Sequence, residues 1–168
     1  MSQACHHHGE TSCALPSSQQ VEDFLAQAEA LCRARKQRFT ELRRTVLELV
    51  CRYEQPVGAY TLLDDLRRSG RSAAPPTVYR ALAFLQQQGL VHRLVNDNTY
   101  IACAHPQRPH AGLFLLCRGC GRTQEVHTRE VDQAIAHQAQ PFDFLVEKAA
   151  VEVIGLCHAC AAGGDARD

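Results

Sequence analysis

Four cysteines stand in two Cys-x-x-Cys pairs, Cys117/Cys120 in LLCRGCG and Cys157/Cys160 in GLCHAC. Each pair brings two soft sulfurs within reach of one ion, and two pairs can close a tetrahedral Cys₄ shell around zinc. A closed sulfur shell leaves no position for a substrate, so such a metal is structural rather than catalytic. The pairs are separated by 36 residues, more than a simple zinc ribbon needs, so a helix and strands must fold between them. Neither pair carries the flanking strand and helix expected of a thioredoxin-type redox site.

The elements that position these cysteines belong to a chain of 168 residues, enough for one large domain or two small ones. No stretch approaches the roughly 20 consecutive apolar residues of a membrane-spanning helix. The N-terminal segment has no charged start followed by an apolar run. Nine cysteines without an export signal lead to the expectation of a reducing, cytoplasmic setting, and their odd number excludes a complete disulfide framework. Net charge is zero but unevenly spread: residues 21–95 carry 12 Lys/Arg against 8 Asp/Glu, residues 96–168 carry 6 against 9. The local excess at Arg33, Arg35, Lys36, Arg38, Arg43 and Arg44 could neutralise phosphates.

Residues 1–20 hold few apolar side chains and are expected to be a disordered tail, with Cys5, His6, His7, His8 and Cys13 as loose chelators at most. From Val21 the apolar residues Phe24, Leu25, Ala28, Leu31 and Cys32 recur at helical spacing, which makes Cys32 a core residue. A second stripe, Leu42, Val46, Leu49, Val50 and Tyr53, follows Thr40 as N-cap and ends at Gln55-Pro56-Val57-Gly58. A short third helix places Leu62, Leu63 and Leu66 inward and closes at Gly70. A fourth is expected from Thr77 to Gln88, with Val78, Ala81, Leu82 and Leu85 inward and Arg80, Ala83 and Gln87 outward. LVHRLV (90–95) and TYIAC (99–103) around Asn96-Asp97-Asn98 form a hairpin.

Helices followed by a two-stranded ribbon give the layout of a winged helix-turn-helix, whose recognition helix enters the DNA major groove. Residues 21–103 would form that domain, 104–111 with Pro106 and Pro109 a hinge, 112–160 an α+β unit, and 161–168 a frayed tail. In the α+β unit, GLFLLC (112–117) and TQEVH (123–127) are expected strands, 128–140 a helix and 142–156 a long strand. Its exposed strand edges would gain by pairing with a second copy.

Together these residues resemble the ferric-uptake-regulator (Fur) family of metal-dependent repressors, most closely its zinc-sensing (Zur) branch. The resemblance rests on Arg38-Phe-Thr-Glu-Leu-Arg43, on Pro76-Thr-Val-Tyr-Arg-Ala-Leu82, on Gly89-Leu-Val-His92 and on both CxxC pairs. It implies a homodimer in which each subunit joins an N-terminal winged helix to a C-terminal α+β dimerisation domain. Glu41-Leu42 departs from the family's usual Pro-Gln after the threonine. His92, Cys103, His110 and Glu125 stand where the zinc-sensing branch places its regulatory ligands. Two imidazoles, a thiolate and a carboxylate also complete a tetrahedral zinc shell on chemical grounds, and the soft Cys103 favours zinc over Fe²⁺.

The resemblance therefore implies two Zn²⁺ per subunit, one structural and one regulatory, and a zinc-responsive repressor of zinc-uptake genes that binds double-stranded palindromic DNA. Arg80 is the candidate for base readout, Tyr60 and Tyr79 for thymine, sugar or phosphate contacts, and Arg38, Arg43 and Thr77 for backbone positioning. No nucleophile–base pair marks an enzyme, and no small-molecule substrate or membrane is implied. An iron or peroxide sensor of the same family is the alternative. Such sensors carry a histidine in the last long strand, where this chain has Glu147-Lys148-Ala149, and His105, His127 and His137 could form a third site. A zinc/thiol redox switch is a further alternative.

Overall fold

A computed structural model describes residues 17–71, 74–107, 112–126, 128–147 and 149–163. Helix α1 (Ser18–Ala34) opens on a capping box between Ser17 and Gln20 and turns Val21, Leu25, Ala28 and Cys32 inward. It starts inside the segment expected as tail, because Ser17 supplies the cap that the apolar stripe does not reveal. Helix α2 (Glu41–Cys51) starts on Thr40, whose hydroxyl accepts from the Arg43 N–H. Glu41 at its first position suits the positive end of the helix dipole and pairs with Arg71 at 3.0 Å, which accounts for the departure noted above.

Strand β1 (Val57–Gly58) leads into helix α3 (Ala59–Arg68), and helix α4 (Pro75–Gln87) follows. Helix α4 begins two residues earlier than expected, since prolines in the first turn lack only N–H groups that have no intrahelical acceptor there. The inward faces of the four helices share one core, with Leu25, Leu47, Leu62, Leu66, Leu82 and Leu85 fully buried. Phe84 and Gln88, not expected inside, are buried as well.

The wing is β2 (Val91–Leu94) paired antiparallel with β3 (Thr99–Ala102). It has three strands rather than two, because β1 pairs with β3 through Val57–Tyr100 and Gly58–Thr99. The C-terminal sheet has the order β5-β4-β6, built from β4 (Gly112–Cys117), β5 (Thr123–Val126) and β6 (Ala150–Gly155). Strand β4 is antiparallel to β5 and parallel to β6, with helix α5 (Arg129–Ala139) in the crossover. The long strand expected over 142–156 is confined to β6. Pro141 sits in a 3-10 turn (Gln140–Phe142), and Asp143 adopts the left-handed conformation with φ 50°, so extended pairing cannot begin there. A last short helix, α6 (His158–Gly163), carries Cys160 and occupies the start of the segment expected as a frayed tail. The chain is thus α+β, with an N-terminal winged helix followed by a C-terminal α+β unit.

Candidate metal centres and nucleic-acid interface

The first CxxC pair lies at the β4–β5 turn and the second just before and within α6. The Cys117 carbonyl accepts from the Gly121 N–H at 2.8 Å, and Gly121 takes φ +72°, a conformation that suits glycine. A Cβ on Gly119 would sit 3.1 Å from both Cβ and Sγ of Cys160, so glycine there lets α6 approach the knuckle closely. The four sulfurs lie within 4.8 Å of one another, with 3.9 Å between those of Cys120 and Cys157. Four sulfurs each about 2.3 Å from zinc in a tetrahedron stand about 3.8 Å apart, so the donor set fits that ion. The Cys157 N–H, 3.2 Å from Cys117 Sγ, leads a set of backbone donors that lower the Cys117 thiol to about 6. The Cys160 thiol donates to the neighbouring sulfurs, Cys157 first, and those bonds to its protonated form push it up to about 12. Four sulfurs this close concentrate negative charge as they ionise, and a bound cation would offset it.

The second group joins the two halves of the chain. His92 is on β2, Cys103 just after β3, and Glu125 on β5, and their ligand atoms converge within 4.8 Å. His92 Nε2 is 3.0 Å from Glu125 Oε1, while the other carboxylate oxygen accepts from the Ala104 N–H at 2.9 Å. Cys103 is 1 % exposed. The His92 ring meets Phe114 edge-on, 5.0 Å between centroids. Neighbouring N and O donors of a tetrahedral zinc are about 3.3 Å apart, so small shifts would suffice to seat the ion. His110, the fourth expected ligand, lies outside the described residues, as do His127, Lys148 and the Cys/His-rich N-terminal segment. His105 and His137 belong to neither convergent group among the described residues.

Thr77, Tyr79 and Arg80 are exposed on α4, opposite its buried Val78, Ala81, Leu82 and Leu85. Tyr60, at the start of α3 and 67 % exposed, meets the Tyr79 ring edge-on at 6.4 Å. Arg38 is exposed before α2. Arg43 is engaged within the fold: its guanidinium lies 3.4 Å above the Phe84 ring and donates to the Arg38 carbonyl. It braces α2 against α4 and fixes the turn that presents Arg38.

Three residues outside the expected set tie the halves together. Gln55 Nε2 donates to the Cys120 carbonyl at 2.9 Å, Glu152 accepts from the wing, and Phe114, 1 % exposed, backs His92. Nothing in their local sequence marks them, because their partners are set by the packing of β4 and β6 against the wing. Among the described residues no helix is long and apolar enough to cross a membrane.

A winged helix whose wing and following sheet converge on His, Cys and Glu donors, in a chain that also gathers a Cys₄ cluster, defines a class: a DNA-binding fold with candidate metal centres between wing and sheet and in its C-terminal unit. A profile of the Ferric uptake regulator family matches residues 34–154. The chain belongs to that family. It is 38 % identical over 141 residues to the zinc uptake regulation protein of Escherichia coli (strain K12), covering 83 % of this chain and 82 % of the relative. A solved zinc uptake regulator complexed with zinc and DNA superposes with a TM-score of 0.80 at 36 % identity, covering 86 % of this chain and 97 % of the other. The crystal structure of holo XcZur gives 0.76 at 40 % identity, covering 83 % and 98 %.

Proposed function

We propose that this chain is a zinc-responsive DNA-binding repressor of zinc-uptake genes, acting in the cytoplasm as a homodimer on palindromic DNA. Each subunit would hold two zinc ions, a structural one at Cys117, Cys120, Cys157 and Cys160 and a regulatory one at His92, Cys103, His110 and Glu125. The observation that carries this reading is the convergence of His92, Cys103 and Glu125 from β2, the end of β3 and β5. One ion bound there would supply a tetrahedral bridge between wing and C-terminal sheet, fixing their angle.

The rest follows from the chain's own residues. His92 lies within the wing and Cys103 at its end, and the wing follows α4 directly, so fixing the wing fixes the direction of the recognition helix. Arg80 then presents its guanidinium for pairing with guanine O6 and N7. Tyr60 and Tyr79 form an exposed aromatic pair for sugar or methyl contacts, and Arg38 and Thr77 meet phosphates. Arg43 would serve these contacts from inside, through Arg38. A useful switch needs the DNA-competent population to rise about a hundredfold, a coupling of roughly 2.7 kcal/mol.

Fluorescence anisotropy of a labelled palindromic duplex, titrated with buffered free zinc against protein retaining its Cys₄ ions, tests the proposal. Binding should switch on with zinc and not with iron. Cys103→Ser should lose the zinc response, about a hundredfold in apparent affinity at fixed zinc, while remaining a folded dimer. DNA binding indifferent to zinc would reject the sensor and bring the iron and redox alternatives forward.

A further inference from the structure

One row of the C-terminal sheet receives the wing. In the β5-β4-β6 register Phe114 is the partner of Glu125 on one side and of Glu152 on the other. Directly paired residues share a face of a sheet, so Glu125, Phe114 and Glu152 form a three-residue rail across it. Strand β2 lies along this rail. His92 stands 3.0 Å from Glu125 and packs on Phe114. Just past the strand's end the N–H groups of Val95 and Asn96 donate to the two oxygens of Glu152 at 2.6 and 3.3 Å. Leu94, on the same face of β2 as His92 by the alternation of a strand, is completely buried.

The lengths agree. Glu125 and Glu152 are two strand spacings apart, roughly 10 Å, and three residues of extended chain from His92 to Val95 also rise about 10 Å. The wing strand can therefore meet both carboxylates in one placement and not when slid by a residue. We infer that Glu152 is a positioning residue for the zinc sensor: it grips the far end of β2 so that His92 is aimed at Glu125 and Cys103. Two N–H groups on one carboxylate make charge-assisted bonds, stronger than neutral ones. Without that grip, only a fraction of molecules would hold the ligands together, and apparent zinc affinity would fall by that fraction. The inference rests on the proposal that His92, Cys103 and Glu125 form the sensor.

The test uses the full-length dimer with its Cys₄ ions in place, comparing wild type, Cys103→Ser, Glu152→Ala and Glu152→Gln. Competition with a zinc chelator gives the midpoint for the second ion, anisotropy gives that for DNA, and NMR gives amide exchange at Val95 and Asn96. Glu152→Ala should raise both zinc midpoints about tenfold, within the usual range of coupling between sites, and speed exchange at both amides. Saturating zinc should restore wild-type DNA affinity. Glu152→Gln, which keeps a carbonyl acceptor, should fall between. Should Glu152→Ala lose its tightly held ion or its dimer, Glu152→Gln decides by the same midpoints. Unchanged midpoints in the folded variants would overturn the positioning role. A wild-type protein that takes up no second zinc, or responds no differently from Cys103→Ser, would overturn the sensor itself.

Discussion

Helix α4 and helix α5 are similar in length, 13 and 11 residues, yet α4 buries Val78, Ala81, Leu82, Phe84 and Leu85 while α5 buries none. The same contrast runs through the halves they belong to. The helices and wing enclose a continuous apolar core, whereas the C-terminal sheet buries Phe114 and Cys117 and leaves Leu115, Val153 and Ile154 exposed. Leu115 and Val153 are register partners, so they lie together on the face opposite the Phe114 rail. Phe142, Phe144 and Leu145, each at least 67 % exposed, add to the apolar surface of the same half. One half holds itself together by burial. Under the proposed function the other relies on the ion at its cysteine cluster and on a second copy to cover its exposed face.

The sharpest way to break this comparison is to remove the ion from the Cys₄ shell. Binding free energy at structural zinc sites is about 10 kcal/mol or more and counts as folding free energy. Strong chelation, or Cys117→Ser, should unfold the C-terminal unit and dissociate the dimer while amides of α1 to α4 stay protected. Hydrogen exchange followed by mass spectrometry separates the two halves; uniform loss of protection would mean that the winged helix has no independent stability. Next in size is the core itself. Leu82→Ala, at a fully buried position, should cost about 2–5 kcal/mol in the N-terminal unfolding transition. Leu145→Ala, at 82 % exposure, should leave the unfolding of a single subunit within about 0.5 kcal/mol. Denaturant titrations of both variants, at concentrations above and below dimer dissociation, make the comparison.

What could be read from the sequence follows the same division. Helical stripes such as Leu62, Leu63 and Leu66 have one way to be buried, so periodicity led directly to the core. The CxxC pairs carry their chemistry in their spacing, and His92, Cys103 and Glu125 were nameable from ligand type and resemblance together. The boundaries of β6 were not legible, because FDFLVEKAAVEVIGL alternates only in part and the left-handed turn at Asp143 depends on local geometry. Strand β1 is two residues long, and only its pairing with Tyr100 and Thr99 makes it a strand. Arg43 looked like its neighbouring arginines in sequence; the Phe84 ring beneath it was the missing fact. Glu152 was hidden because its meaning lies in a cross-strand register, and register is a property of three segments at once.

If the N-terminal half supplies contacts and the C-terminal half supplies their spacing, a contact residue should act on affinity without touching the zinc response. Arg80→Ala should weaken binding to a specific duplex by about 1–3 kcal/mol, leaving the zinc midpoint unchanged. Anisotropy on specific and scrambled duplexes at saturating zinc measures the affinity, and chelator competition in the absence of DNA measures the zinc midpoint. A shifted zinc midpoint would show that the two halves share their labour.

The smallest expected effect compares one device in both settings. Thr40 and Thr128 each cap a helix with a side-chain oxygen, accepting from the N–H of Arg43 and of Glu130. Removing such a cap costs about 1 kcal/mol where the helix belongs to the cooperative core. Helix α2 buries Val46, Leu47, Val50 and Cys51 and does belong to it. Thr40→Ala should therefore lower the melting temperature of the winged helix by about 5 °C. Helix α5 buries nothing within the subunit, so its first turn can fray without exposing apolar surface. Thr128→Ala should speed amide exchange at Glu130 and leave the main transition unmoved. Equal melting shifts from the two substitutions would mean that α5 is locked into the global fold, and that the C-terminal half is less dependent on metal and partner than its exposed surfaces imply.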